Sequence, residues 1–159
     1  VRLKPLDRVR ALEFLKVGFN QAGVGVSDDE LIRVINELGG IIGWLTYFGY
    51  NYIKGVKDLG LIIDDASRLA ASEVNRLLNV YGIARARYVA ILNAVATLSS
   101  VNWSGIKNFI TTKLGRIPDT ALSIMLKNLE KAGLIIKINE EYVITDPIIR
   151  KAILRGYIK

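Results

Sequence analysis

The chain contains no cysteine and no histidine. The first absence excludes disulfides and thiolate metal sites; the second removes most zinc sites and every imidazole general base. Without imidazole, the serines have no relay partner, and a Ser–His mechanism is impossible. Apolar runs break off within about ten residues, far short of the ~18 that cross a bilayer, and no segment resembles a targeting peptide. A cytoplasmic location without membrane contact is expected. Also missing are a Gly-x4-Gly-Lys-[Ser/Thr] phosphate loop and an apolar strand ending in an acidic pair able to hold magnesium. Asp64-Asp65 after Leu-Gly-Leu-Ile-Ile imitates the latter, but reads as a helix N-terminus. Asp28-Asp29 and Glu140-Glu141 likewise fall at a helix start and a hairpin tip, where the dipole and turn geometry favour acids. No residue of this chain is therefore assigned to catalysis or to a metal, and catalysis by the chain alone is not expected.

What is present is apolar residues, at 51% enough for a core, and an uneven charge. From Val1 to Val80 there are 10 Lys+Arg and 10 Asp+Glu; from Tyr81 to Lys159 there are 12 and 5. The whole excess of +7 lies in the second half, as a surface for a polyanion requires. The chain begins at Val1, in mid-stride, which reads as a fragment or a processed chain.

The stretch from Trp103 to Pro147 has the order helix, turn, helix, hairpin. Leu122, Met125, Leu126 and Leu129 recur at i, i+3, i+4 and i+7, one buried helical face. Asp119 is expected to cap that helix and Gly133 to stop it. Leu134, Ile136 and Ile138, then Tyr142 and Ile144, alternate as strands do around the polar tip Asn139-Glu140-Glu141. This is the pattern of a winged helix-turn-helix. A helix from Ala84 to Leu98 precedes it, and another follows with Pro147 at its first position and Asp146 as cap.

The front half reads as a helical bundle. Its first helix runs from Asp7 to Ala22 with Val9, Leu12, Phe14, Leu15 and Phe19 as the apolar stripe. Ser27 and Glu30 have capping-box spacing ahead of a helix burying Leu31, Val34, Ile35 and Leu38. Gly40 and Gly43 then allow close backbone approach before an aromatic helix carrying Trp44, Tyr47, Phe48, Tyr50 and Tyr52. Asp64 or Asp65 is expected to open the next helix, and Tyr81-Gly82 to be the junction. The expected fold class is mainly α: a lid-type bundle at 1–80, then a winged helix with a small hairpin at 81–159.

Four stretches resemble the C-terminal half of the archaeal ATPase family, a branch of the AAA+/STAND P-loop ATPases. They are LKPLDRVRALEFLKVGF, GGIIGWLTYFG (similar to a family motif Gly-Ile-Pro-Gly-Trp-Leu, with Ile42 in place of Pro), and TALSIMLKNLEKAGLI with YVITDPIIRKAI. The resemblance implies a lid and winged helix whose ATPase core, with ATP and magnesium, would precede Val1. It implies that the lid turn Gly40, Ile41, Ile42, Gly43 and Trp44 lies against the nucleotide held by that core. Nucleotide state would move the turn, and the lid would reposition the winged helix.

For the winged helix, double-stranded DNA is the expected partner. Thr120, Ser123, Lys127 and Lys131, with Ile124, face away from the buried stripe and would enter the major groove. Lys107, Lys113 and Arg116 on the preceding helix and turn would meet phosphates. Glu140 and Glu141 at the wing tip oppose this, and no Arg, Asn or Gln starts the reading face, so backbone contacts should dominate. The alternatives are a winged helix that docks on protein, with an apolar lid patch around Trp44 and Tyr47, or a dimeric transcription regulator reading paired half-sites.

Overall fold

The computed structural model describes residues 4–159; Val1–Leu3, where the expected fragment end and the first residue of the resemblance fall, lie outside the described residues. The chain forms two compact units, one of residues up to Ser67 with Asp146–Ile148, the other of Arg68–Thr145 with Ile149–Lys159. The division falls inside a helix, whereas the junction read from the sequence, Tyr81-Gly82, falls in the second unit. There the backbone kinks within a 3-10 segment Asn79–Ala84, with Gly82 at φ 51°.

In the first unit, α1 (Arg8–Ala22), α2 (Asp28–Leu38), α3 (Ile42–Ile53) and the start of α4 (Leu59–Leu78) surround one core. Asp7 caps α1 by accepting the Arg10 N–H at 2.9 Å, and Gly23 ends it in the left-handed conformation. The face of α1 that is buried is Ala11, Leu15 and Phe19, at i, i+4 and i+8. Val9 and Phe14, expected inside, are exposed at 76% and 39% because they project to either side of that stripe. In α2 all four expected residues are buried. Ser27 accepts the Glu30 N–H at 3.3 Å, while the Glu30 carboxylate accepts the Tyr52 hydroxyl at 3.4 Å. Phe19, Phe48 and Tyr52 pack with ring centroids 5.3 to 6.1 Å apart, the edge-on and tilted contacts that aromatic quadrupoles favour.

Helix α4 begins earlier than Asp64. Asp58 accepts the Leu61 N–H at 3.1 Å and its carbonyl accepts the Ile62 N–H, so Leu59–Ile63 is the first turn of the helix. Asp64 and Asp65, expected to open the helix, therefore lie in its second turn. On the helix, Ile62, Ile63 and Ala66 face inward.

The second unit contains the rest of α4, α5 (Arg85–Leu98), β1 (Val101–Asn102), α6 (Trp103–Leu114), α7 (Asp119–Ala132), β2 (Ile136–Ile138), β3 (Glu141–Val143) and α8 (Pro147–Leu154), whose first two residues belong to the first unit. Its antiparallel sheet has the order β1-β3-β2. The hairpin between β2 and β3 pairs Ile138 with Glu141, leaving a two-residue turn. Asn139 and Glu140 both take positive φ, 48° and 64°, as a primed hairpin turn requires. The core is continuous from Val74 and Leu78 through Ile91, Leu92 and Val95 to Ile106, Ile110, Leu122, Leu126, Leu129, Tyr142 and Ile153. This is a mainly helical protein carrying a winged helix.

Three tyrosines are pushed above their ordinary pKa, in each case mainly by burial. Glu30 adds to the shift at Tyr52 and Tyr88 to that at Tyr81, whereas at Tyr142 the neighbouring Lys137 works against burial. A raised folded-state pKa means that the folded chain holds its phenolic protons longer than the unfolded one. The stabilisation is thus complete below the unfolded value of about 10 and is lost as pH rises through the folded values. Urea unfolding should show stability falling above about pH 10, with a shallower fall in Tyr52→Phe.

Candidate functional site

Two sites emerge, one in each unit. In the second, α6, the turn Gly115-Arg116-Ile117-Pro118 and α7 make the helix-turn-helix. Ile117 is buried and anchors the turn, leaving Arg116 exposed. Helix α7 starts after Pro118 in extended backbone with no side-chain cap. The cap expected from Asp119 is absent because Asp119 is the first helical residue. Its carboxylate instead accepts from the Lys107 ammonium, which also lies 5.4 Å from the Trp103 ring centroid. Gly133 stops the helix as expected, at φ 68°, donating to the Leu129 and Glu130 carbonyls.

Leu122, Met125, Leu126 and Leu129 are buried, and the opposite face is open to solvent. Thr120, Lys127 and Lys131 are exposed, Ser123 is half-buried, and Ile124 stands 59% exposed among them. Lys113 is exposed beside the Phe109 ring, its ammonium 4.8 Å from the centroid. Of the cations expected to meet phosphate, Lys113, Arg116, Lys127 and Lys131 are thus presented on the surface, whereas Lys107 is half-buried and paired with an acid. The wing has its own pair, Lys137 to Glu140 at 2.9 Å, which raises the Lys137 pKa. Glu141 accepts from the Ser100 hydroxyl beside the β1–β3 pairing.

The first unit holds the turn Gly39-Gly40-Ile41 and the start of α3. Gly39 and Gly40 take φ 69° and 70°. A Cβ on Gly40 would stand 2.2 Å from the Leu6 carbonyl oxygen, and the Leu6 N–H donates to the Gly40 oxygen at 2.9 Å. Close approach is therefore real at Gly40. At Gly43 it is not, since a Cβ there would meet nothing within 4 Å. Gly43 is exposed, and Ile41, Ile42 and Trp44 are half-buried. The Trp44 indole N–H donates to both carboxylate oxygens of Asp146, at 3.2 and 3.0 Å. Sequence reading finds both motifs but not that they meet, because 102 residues separate them. Trp44 and Tyr47, around which an apolar patch is expected, are half-buried, and a groove of about 620 Å³ in the same unit is bordered by Phe14, Val17, Tyr50 and Ile53. Among the described residues, no group of three or more acids is placed to hold a metal, and no helix is long and apolar enough to cross a membrane.

Residues 82–145 match the family model of the MCM protein C-terminal winged helix-turn-helix domain. Among solved structures, a Walker-type ATPase of Pyrococcus abyssi is similar with a TM-score of 0.83 and 32% identity. The match covers 95% of this chain and 43% of that one, so the chain spans less than half the length of the ATPase it resembles. A search of curated proteins gives no match. The second half is a winged helix of the type associated with ATPases, and nearly the whole chain shares its fold with part of such an enzyme.

Proposed function

We propose that the chain is the lid and winged-helix portion of a P-loop ATPase of the archaeal ATPase family, and that its winged helix contacts duplex DNA chiefly along the phosphate backbone. The observation that carries the DNA reading is the exposed group Lys113, Arg116, Lys127 and Lys131 around the helix-turn-helix, on the half of the chain that bears the whole net charge. Thr120 and Ser123 supply hydroxyls to the same face. With no Arg, Asn or Gln at the start of α7, sequence selectivity is weak.

ATP and magnesium belong to the core of the longer protein. The turn at Gly40, Ile41, Ile42, Gly43 and Trp44 has no charged side chain. Its composition suits apolar contact with a nucleotide held by another domain, not retention of phosphates by itself. The core is accordingly a second partner of this chain, and the turn is the element that reports nucleotide state to it.

A protein-docking role is the second reading, favoured by Ile124, whose 59% exposure at the centre of the α7 face is unusual for a groove-reading helix. Fluorescence anisotropy with a labelled duplex of about 20 base pairs and this chain distinguishes the two. At about 50 mM salt the DNA reading expects saturable binding with Kd in the range of about 1–100 μM. No change of anisotropy throughout that range would assign the face to protein.

A further inference from the structure

We propose that Trp44 and Asp146 form a latch that ties the lid turn to the start of α8, so that the first turn of α8 stays closed only while the indole is seated. The Asp146 carboxylate has two tasks. It receives the Trp44 indole N–H on both oxygens, at 3.2 and 3.0 Å, and its Oδ1 also receives the Ile148 backbone N–H at 2.8 Å. The second bond satisfies one of the amides that a helix start leaves without an intrahelical partner. Both are bonds to a charged acceptor, the stronger kind. Loss of the indole removes one of the contacts that hold the carboxylate in its capping position.

The contact is supported from both sides. Pro147, the next residue, lies so close to the turn that a Cβ on Gly39 would stand 3.0 Å from its Cγ. On the other side of the turn, the Gly40 carbonyl is held by Leu6. Tyr47 meets the indole edge-on, with centroids 6.2 Å apart at 89°, and so fixes the plane in which the N–H points. Beyond Ile148, α8 continues into the winged-helix unit. There Ala152 and Ile153 are buried, and Arg150 donates to the Ala96 carbonyl at 3.0 Å and to the Ser99 hydroxyl at 2.9 Å. The helix that starts at the latch is thus continuous in the chain with residues of the second unit. This deepens the coupling proposed above, but the latch is a property of this chain and is testable without nucleotide or DNA.

Amide hydrogen exchange by NMR on the unaltered chain and on Trp44→Phe tests it. In the unaltered chain the Trp44 indole N–H and the Ile148 amide are expected to open together, with protection factors agreeing to within about threefold. In Trp44→Phe the amides of Ile148 and Ile149 are expected to exchange about tenfold faster, while Val34 and Ile35 in α2 keep their rates. Asp146→Asn, which keeps one acceptor oxygen but loses the charge and the second oxygen, should accelerate the same two amides by a few-fold. Protection at the indole and at Ile148 differing by more than tenfold overturns the proposal. So does acceleration that is equal at Ile148 and Val34, because that is general loosening. Unchanged exchange at Ile148 in Trp44→Phe overturns it as well, whereas failure of the unaltered chain to bind duplex counts against the DNA reading alone.

Discussion

Gly40→Ala is expected to destabilise the first unit by about 3 kcal/mol or more. Two costs add. A non-glycine residue at φ 70° is held in the left-handed region, which costs about 1–2 kcal/mol. The new Cβ would also stand 2.2 Å from the Leu6 carbonyl oxygen. That neighbour is backbone, so relief requires breaking the 2.9 Å bond from the Leu6 N–H to the Gly40 oxygen, worth about 1 kcal/mol. Gly43→Ala, three residues on, is expected to be neutral or stabilising by up to about 1 kcal/mol. Its position is helical and its surroundings are open, so alanine only lowers the entropy of the unfolded chain. Thermal unfolding followed by circular dichroism separates the pair. At about 2–4 °C per kcal/mol for a chain of this size, Gly40→Ala should melt about 6–12 °C lower. Equal melting temperatures would mean that the turn is not built as described.

The second large effect is on DNA. The combined substitution Lys113→Glu, Arg116→Glu and Lys127→Glu is expected to weaken duplex binding about 100-fold at low salt. Each reversal turns an attraction to phosphate into a repulsion worth about 1 kcal/mol, and about 1.4 kcal/mol is a factor of ten. All three side chains are exposed, so the fold should hold to within about 0.5 kcal/mol. Glu140→Lys with Glu141→Lys should act oppositely, tightening binding several-fold by making the wing tip basic. If the triple variant binds as the parent does, the α6–α7 corner is not the contact surface. If only the wing variant has an effect, the wing is.

Local chemistry in the sequence carried further than composition in fixing the elements. The period of Leu122, Met125, Leu126 and Leu129 predicts the buried face of α7, and Ser27 and Gly133 mark helix ends because their roles depend on a few neighbouring residues. Asp119 misleads because an acid in a first turn and an acid at a cap have the same composition. Only the extended backbone at Pro118 decides between them. Leu59–Ile63 misleads for a different reason. Five apolar or glycine residues have no resolvable period, and the cap that settles the matter, Asp58, lies ahead of the run. Strand β1 is two residues long, too short for any alternation to register. At the candidate sites, the residue types were legible but their pairing was not. Lys107 looks like its fellow cations until Asp119 is found against it, and the Trp44–Asp146 contact joins residues that no local pattern relates.

The dependence of DNA affinity on salt tests the central claim most directly. With Lys113, Arg116, Lys127 and Lys131 as the exposed cations, about three to four phosphates would be neutralised. A plot of log Kobs against log salt should then have a slope of about −3, at roughly −0.9 per phosphate. Titrating a labelled duplex at about 50, 100 and 200 mM salt gives that slope for the unaltered chain, and the triple variant should approach zero. Binding whose affinity does not change with salt, or no binding at about 50 mM, would contradict the account and leave the winged helix as a surface for protein.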